Sequence, residues 1–179
     1  GMPTDEARRV MILLHGRGAS ADDILSLAHE FDVSDMAYFA PQATANTWYP
    51  YSFLSPVDQN QPWLDSALSL LSDLERELNA EGFPSHQIWF AGFSQGACLA
   101  LEYTARNAKR YGGILAFSGG LIGQGIKREN YRGNFLHTPV FIGSSDPDMH
   151  IPVKRVEESA GLLTELGASV QMKIYSDMG

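Results

Sequence analysis

The sequence has a single cysteine, Cys98, among 179 residues. It can form no disulfide within the chain, and a cysteine-rich metal site is excluded. Long hydrophobic runs are also missing: none approaches the ~20 residues of a membrane span. The N-terminal stretch GMPTDEARR lacks the apolar core of a signal peptide. Gly1 ahead of Met2 reads as the remnant of a removed tag and is left out of the fold reasoning. The cytoplasm is the default compartment. Positive charge is scarce, with 13 Lys and Arg against 21 Asp and Glu and a net charge of -8. The basic residues form no stripe, so nucleic acid and anionic membrane surfaces are not expected partners. Nothing in the composition excludes a homodimer. No internal repeat or low-complexity tract occurs.

What is present is the composition of a folded chain, with 44% hydrophobic and 19% charged residues. The length fits one domain over 1–179 with a sizeable core. Short apolar runs at 10–14, 36–40, 87–91, 113–118, 139–143 and 168–175 read as strands. Apolar residues at helical spacing predict helices over 21–31, 63–81, 95–110 and 152–167. Ser20, Asp22 or Asp23 can cap the first of these. Gly82 and Pro84 end the second, and Pro152 and Gly167 bracket the last. The strands are apolar on both sides and alternate with helices. That pattern predicts an α/β fold, a mostly parallel sheet with helices on both faces. Ligands of such sheets bind beyond the C-terminal strand ends.

One segment breaks the pattern. Residues 41–62, PQATANTWYPYSFLSPVDQNQP, carry four prolines and four aromatics and follow no period. Connections this long in a compact domain are often functional. Trp48 and Tyr49 in this loop, with Trp63 just after it, are expected to form one wall of a substrate pocket. The alternative is that the loop's aromatics only pin it to the core.

Gly92, Ser94 and Gly96 form G-x-S-x-G between a predicted strand and a predicted helix. A sharp turn at Ser94 strains the backbone and is tolerated only if its neighbours lack clashing side chains, which the two glycines satisfy. The turn lifts the Ser94 hydroxyl above the sheet edge. It also sets the positive end of the following helix behind it, where negative charge can develop. A helix-capping serine would not need both glycines. The segment HGRGAS at 15–20 follows the first strand. Its Arg17 amide, with that of Gln95, is the expected oxyanion hole. His15 reads as a packed strand-end histidine rather than a base. The acid is sought in GSSDPDMHIP at 143–152, where Asp146 and Asp148 are both candidates and one of them can be a turn former. His150 is expected on the rim of the site, two residues from the acid and badly placed as a base. Cys98, one helical turn after Ser94, reads as small core packing.

The segments LLHGRGAS, AGFSQGACLALEY, GSSDPDMHIP and the final YSDMG together resemble the phospholipase/carboxylesterase family of α/β-hydrolases. The resemblance runs nearly the whole length in one order. It implies the α/β-hydrolase fold and a Ser-His-Asp esterase or thioesterase that needs no cofactor and no metal, acting on a small-molecule ester or thioester. Ser94 and Gln95 carry over directly. Arg17 stands where the family more often has an apolar residue. Family members show the acid four positions before a proline, which from Pro152 gives Asp148, with Asp146 as second choice. The family chain order is Ser, acid, His, and no histidine follows His150. The resemblance implies a histidine directly after Gly179 and then a closing helix. The natural chain is therefore expected to continue by roughly twenty or thirty residues of ordinary helical length. Two other readings compete: a catalytically degenerate hydrolase-fold protein that only binds a ligand, and, more weakly, a peptidase.

Overall fold

Strands that are apolar on both sides must be covered on both sides. The computed structural model describes residues 1–31 and 33–176 and shows how the chain meets that demand. Six strands form one fully parallel sheet among the described residues: β1 (Arg9–Leu14), β2 (Met36–Phe39), β3 (Ile88–Phe93), β4 (Gly113–Phe117), β5 (Pro139–Asp146) and β6 (Ser169–Ser176). Their spatial order is β2-β1-β3-β4-β5-β6. The order reverses beside β1, so the loops after β1 and β3 leave the same sheet edge side by side, where a ligand crevice opens.

Among the described residues four α-helices complete the layers: α1 (Ala21–Leu25), α2 (Trp63–Ala80), α3 (Gln95–Arg106) and α4 (Val153–Glu165). The larger core lies on one face, where side chains of α2, α3 and α4 meet Val10, Ile12, Phe90, Ile114 and Ile142 of the strands. A smaller cluster on the other face joins Met11, Leu13, Ile24, Met36 and Ala91. Helix α3 is buried from Gln95 to Ala105. Its first turn is small, which lets it sit directly against the ends of β1 and β3. Glu102 is 0% exposed there. Its carboxylate is satisfied by the Arg106 guanidinium, the Ile122 amide and the Tyr131 hydroxyl, as a buried charge requires. In this way α3 also ties down the connection after β4.

The expected elements are all present, with three changes of length. The first helix is α-helical only to Leu25 and tightens to a 3-10 turn over Ser26–His29. The Ser26 hydroxyl donates to the Asp23 carbonyl at 2.7 Å, the kind of local bond that competes with helix propagation. Of the candidate caps, Ser20 serves: its hydroxyl accepts from the Asp23 amide in a capping box. Helix α3 stops at Arg106 instead of continuing to 110, because Asn107 leaves helical geometry and donates its side-chain amide back to the Tyr103 carbonyl. Strand β5 runs on past Gly143 to Asp146, paired in register with Gly143–Ser144–Ser145–Asp146 against Lys173–Ser176 of β6. No helix among the described residues is long and apolar enough to cross a membrane.

Candidate active site

Ser94 sits at the turn between β3 and α3 with φ 52° and ψ -116°. Positive φ at a non-glycine residue stores of order 1–3 kcal/mol of strain and persists only when the surroundings enforce it. Here they do. The Ser94 amide donates to the Phe117 carbonyl at 2.9 Å, and its carbonyl accepts from the Cys98 amide at 3.0 Å. A Cβ on Gly92 would fall onto the backbone of Gly96, and a Cβ on Gly96 would fall onto the carbonyls of Leu14 and His15. The two glycines let the strand end, the helix start and the loop after β1 close on one another at Ser94.

The loop after β1 lies against that turn. A Cβ on Gly16 would be 3.6 Å from the Cβ of Ser94. His15 is fully buried. Its Nε2 accepts from the Ala43 amide at 3.1 Å, so Nδ1 carries the proton and donates to the Gly16 carbonyl at 2.8 Å. That ring is fully engaged in holding the loop, as the sequence suggests. The first N–H groups of α3 have no helical partner. Among the described residues neither the Gln95 amide nor the Arg17 amide finds an acceptor.

The same two residues grip the aromatic loop with their side chains. Gln95 Oε1 accepts from the Trp48 amide at 3.0 Å, and Nε2 donates to the Tyr49 carbonyl at 2.8 Å. The Arg17 guanidinium donates to the carbonyls of Pro50 and Tyr51, each at 2.7 Å. This places the loop over Ser94 and closes a cavity of about 390 Å³ whose wall includes Arg17, Tyr49, Phe53, Ser94, Cys98 and His150. Larger clefts of about 590 and 810 Å³ flank the 123–130 connection, another of about 420 Å³ lies between α2 and α3, and none of these contains Ser94 or a histidine.

Of the aromatics expected on the pocket wall, Tyr49 lines the Ser94 cavity. Trp48 and Trp63 do not: they line a separate cavity of about 380 Å³ across the loop. Trp48 is buried, packs on His15 at 4.9 Å between ring centroids, and donates Nε1–H to the His15 carbonyl at 2.9 Å. Trp63 is exposed at the start of α2. Pro50, Tyr51, Ser52 and Phe53 of the same loop also line the Ser94 cavity, and Ile151 is a lining residue without a local signal in the sequence. Cys98 lies both in the core and on the cavity wall, as its position one turn after Ser94 allows. Burial pushes its thiol up to about 12.

The two candidate acids differ in setting. Asp146 is the last residue of β5, exposed, and directly opposite Ser176 in the β5–β6 register. Asp148 lies in the turn beyond the strand and is half-buried. Its Oδ1 accepts from the amides of His150 at 2.7 Å and Ile151 at 2.9 Å, which fixes the carboxylate and leaves Oδ2 without a partner among the described residues. His150 lies on the cavity rim. His29, His86 and His137 are exposed. The histidine expected after Gly179 lies outside the described residues, as do Asp177 to Gly179 themselves.

Comparison with known proteins bears on the family and the fold. A family model described as Phospholipase/Carboxylesterase matches residues 2–179. The crystal structure of a phospholipase/carboxylesterase from Dyadobacter fermentans DSM 18053 is 54% identical. It superposes with a TM-score of 0.98 over 100% of this chain and 86% of that one. Acyl-protein thioesterase 1 of Saccharomyces cerevisiae is 31% identical over 171 residues, which cover 82% of this chain and 73% of that protein. The crystal structure of Arabidopsis thaliana SOBER1, at 20% identity over 97% of this chain and 90% of that one, has a TM-score of 0.79 and shares the fold.

Proposed function

Since the chain belongs to the phospholipase/carboxylesterase family of α/β-hydrolases, we propose that it cleaves carboxylic esters or thioesters through a covalent acyl-enzyme on Ser94. The observation that carries this reading is the backbone of Ser94 at φ 52° and ψ -116°, locked between Gly92 and Gly96 with the loop after β1 packed against it. A merely capping serine has no use for that strain, whereas a nucleophile gains exposure of its oxygen above the sheet edge.

In the proposed cycle the Ser94 oxygen attacks the substrate carbonyl. The amides of Arg17 and Gln95 donate to the oxygen that becomes negative, and the positive end of α3 adds to their effect. A histidine takes the serine proton and returns it to the leaving alcohol or thiol, and water then releases the acyl group by the same route in reverse. Asp148 is the proposed partner of that histidine, because its carboxylate is already fixed by two amides with one oxygen free. β6 is parallel to β5, and Ser176 stands opposite Asp146, so the described end of β6 lies at the sheet edge that carries the acid turn and Ser94.

The test is turnover of p-nitrophenyl acetate by the full-length protein and by Ser94→Ala. Activity in the first and its loss by at least about 10³-fold in the second is the expected result. Undiminished hydrolysis in Ser94→Ala would overturn the assignment.

A further inference from the structure

We infer that Arg17 makes the Ser94 cavity selective for esters or thioesters that carry a carboxylate close to the scissile carbonyl. The inference rests on the serine-hydrolase reading above and names its substrate class. Arg17 is exposed at the mouth of the cavity. Its Nη1 and Nη2 each donate to a backbone carbonyl, of Pro50 and Tyr51, at 2.7 Å. Both acceptors are neutral, so the guanidinium keeps its charge unanswered. Among the described residues Arg17 joins no ion pair, as is true of Arg8, Arg110 and Arg132, and of these four it is the one that lines the Ser94 cavity.

The two bonds do more than occupy donors. A guanidinium has five N–H groups in a rigid plane, and two are used here, so three remain for a ligand. Because the loop carbonyls already hold the side chain, little conformational freedom is left to lose when an anion arrives. In a chain of net charge -8, a fixed and unpaired cation at the mouth of the cavity is a local reversal of sign. The bonds to Pro50 and Tyr51 explain where the side chain lies. They are charge-assisted and stronger than a neutral donor would make, yet they give the cation no counter-ion.

The mouth of the cavity thus offers a cation suited to a carboxylate and indifferent to a plain alkyl chain. Since the Arg17 amide is also a proposed oxyanion donor, one residue would touch both the reacting carbonyl and the carboxylate. That restricts the two groups to a few bonds apart, as in a half-ester of a short dicarboxylic acid.

The experiment compares mono-p-nitrophenyl succinate with p-nitrophenyl butyrate, which share chain length and leaving group and differ in the carboxylate. With the full-length protein at low salt, kcat/KM is expected to be about ten- to a hundred-fold higher for the succinate, the range expected of a charge-assisted contact. The difference should lie mainly in KM and shrink in 0.5 M sodium chloride, while the butyrate rate stays level. Arg17→Met should bring the ratio between the two esters close to one, and Arg17→Lys should restore part of it in a salt-sensitive way. Equal or better turnover of the butyrate, or a ratio untouched by salt and by Arg17→Met, overturns the inference while leaving the esterase reading standing. Failure to hydrolyse either ester, together with an unlabelled Ser94, overturns both.

Discussion

The side chain of Gln95 completes the hydrogen bonding of the Trp48 backbone: Oε1 accepts from the Trp48 amide at 3.0 Å, forty-seven residues away in sequence. Its Nε2 binds the Tyr49 carbonyl at 2.8 Å. The residue that follows the candidate nucleophile thus supplies an amide to the cavity with its backbone and holds the cavity's wall with its side chain. Gln95→Leu keeps the first and removes the second. It leaves the buried Trp48 amide unpaired, at about 1–3 kcal/mol, and takes one of two donors from the Tyr49 carbonyl, which keeps the Thr47 hydroxyl at 3.0 Å. A lower melting temperature with a KM rise larger than the kcat fall is the expected outcome, measured by thermal unfolding and steady-state kinetics.

Gly96 is predicted to tolerate no side chain. Its missing Cβ is where the Leu14 and His15 carbonyls lie, and backbone cannot move aside as a flexible side chain can. Gly96→Ala should cost about 3 kcal/mol or more, read as a loss of soluble folded protein or a large drop in melting temperature. Gly125→Ala is the control, because nothing lies within 4 Å of the added atom.

The two aspartates should separate cleanly. Asp148→Asn is expected to lower kcat by about 10³–10⁴-fold, the scale seen when a triad acid loses its charge. Asp146→Asn, on an exposed strand end, should stay within about threefold of wild type. The reverse ranking would make Asp146 the acid and Asp148 the turn former.

Cys98 should behave as a silent thiol. Burial raises its titration to about 12 from an ordinary value near 9, so thiolate is scarce in the folded protein at pH 7–10. Iodoacetamide at pH 8 should leave both mass and activity unchanged until denaturant is added. The linkage has a sign. The raised value means the folded state holds a proton that the unfolded state gives up above pH 9. The stability tied to Cys98 is therefore full below pH 9 and is lost as the pH climbs towards 12. A Cys98→Ala variant should show a shallower decline over that window.

The sheet and its helices could be read from the sequence because each rests on local signals: unbroken apolar runs for strands buried on both faces, helical spacing for α2 and α4, and glycines flanking Ser94. The aromatic loop could not be read in detail. Its partners, His15, Arg17 and Gln95, are far away in sequence, and no period links them to it. Trp48 shows the consequence. As a pocket aromatic it would tune chain length, but it packs on His15 instead. Trp48→Ala should now cost about 3–5 kcal/mol as a core truncation, with activity falling equally on all chain lengths. Asp146 and Asp148 resisted separation for a related reason. Counting places one or the other at the turn, and only the extension of β5 through Asp146 shows which of them lies beyond the strand. The buried carboxylate of Glu102 was hidden too, since its partners Ile122 and Tyr131 come from another connection.

The most direct measurement is peptide mass spectrometry of the full-length protein after treatment with a fluorophosphonate. The account predicts one stoichiometric adduct, on Ser94, that is absent from Ser94→Ala and greatly slowed in Asp148→Asn. A folded full-length protein that forms no adduct at Ser94 would contradict it.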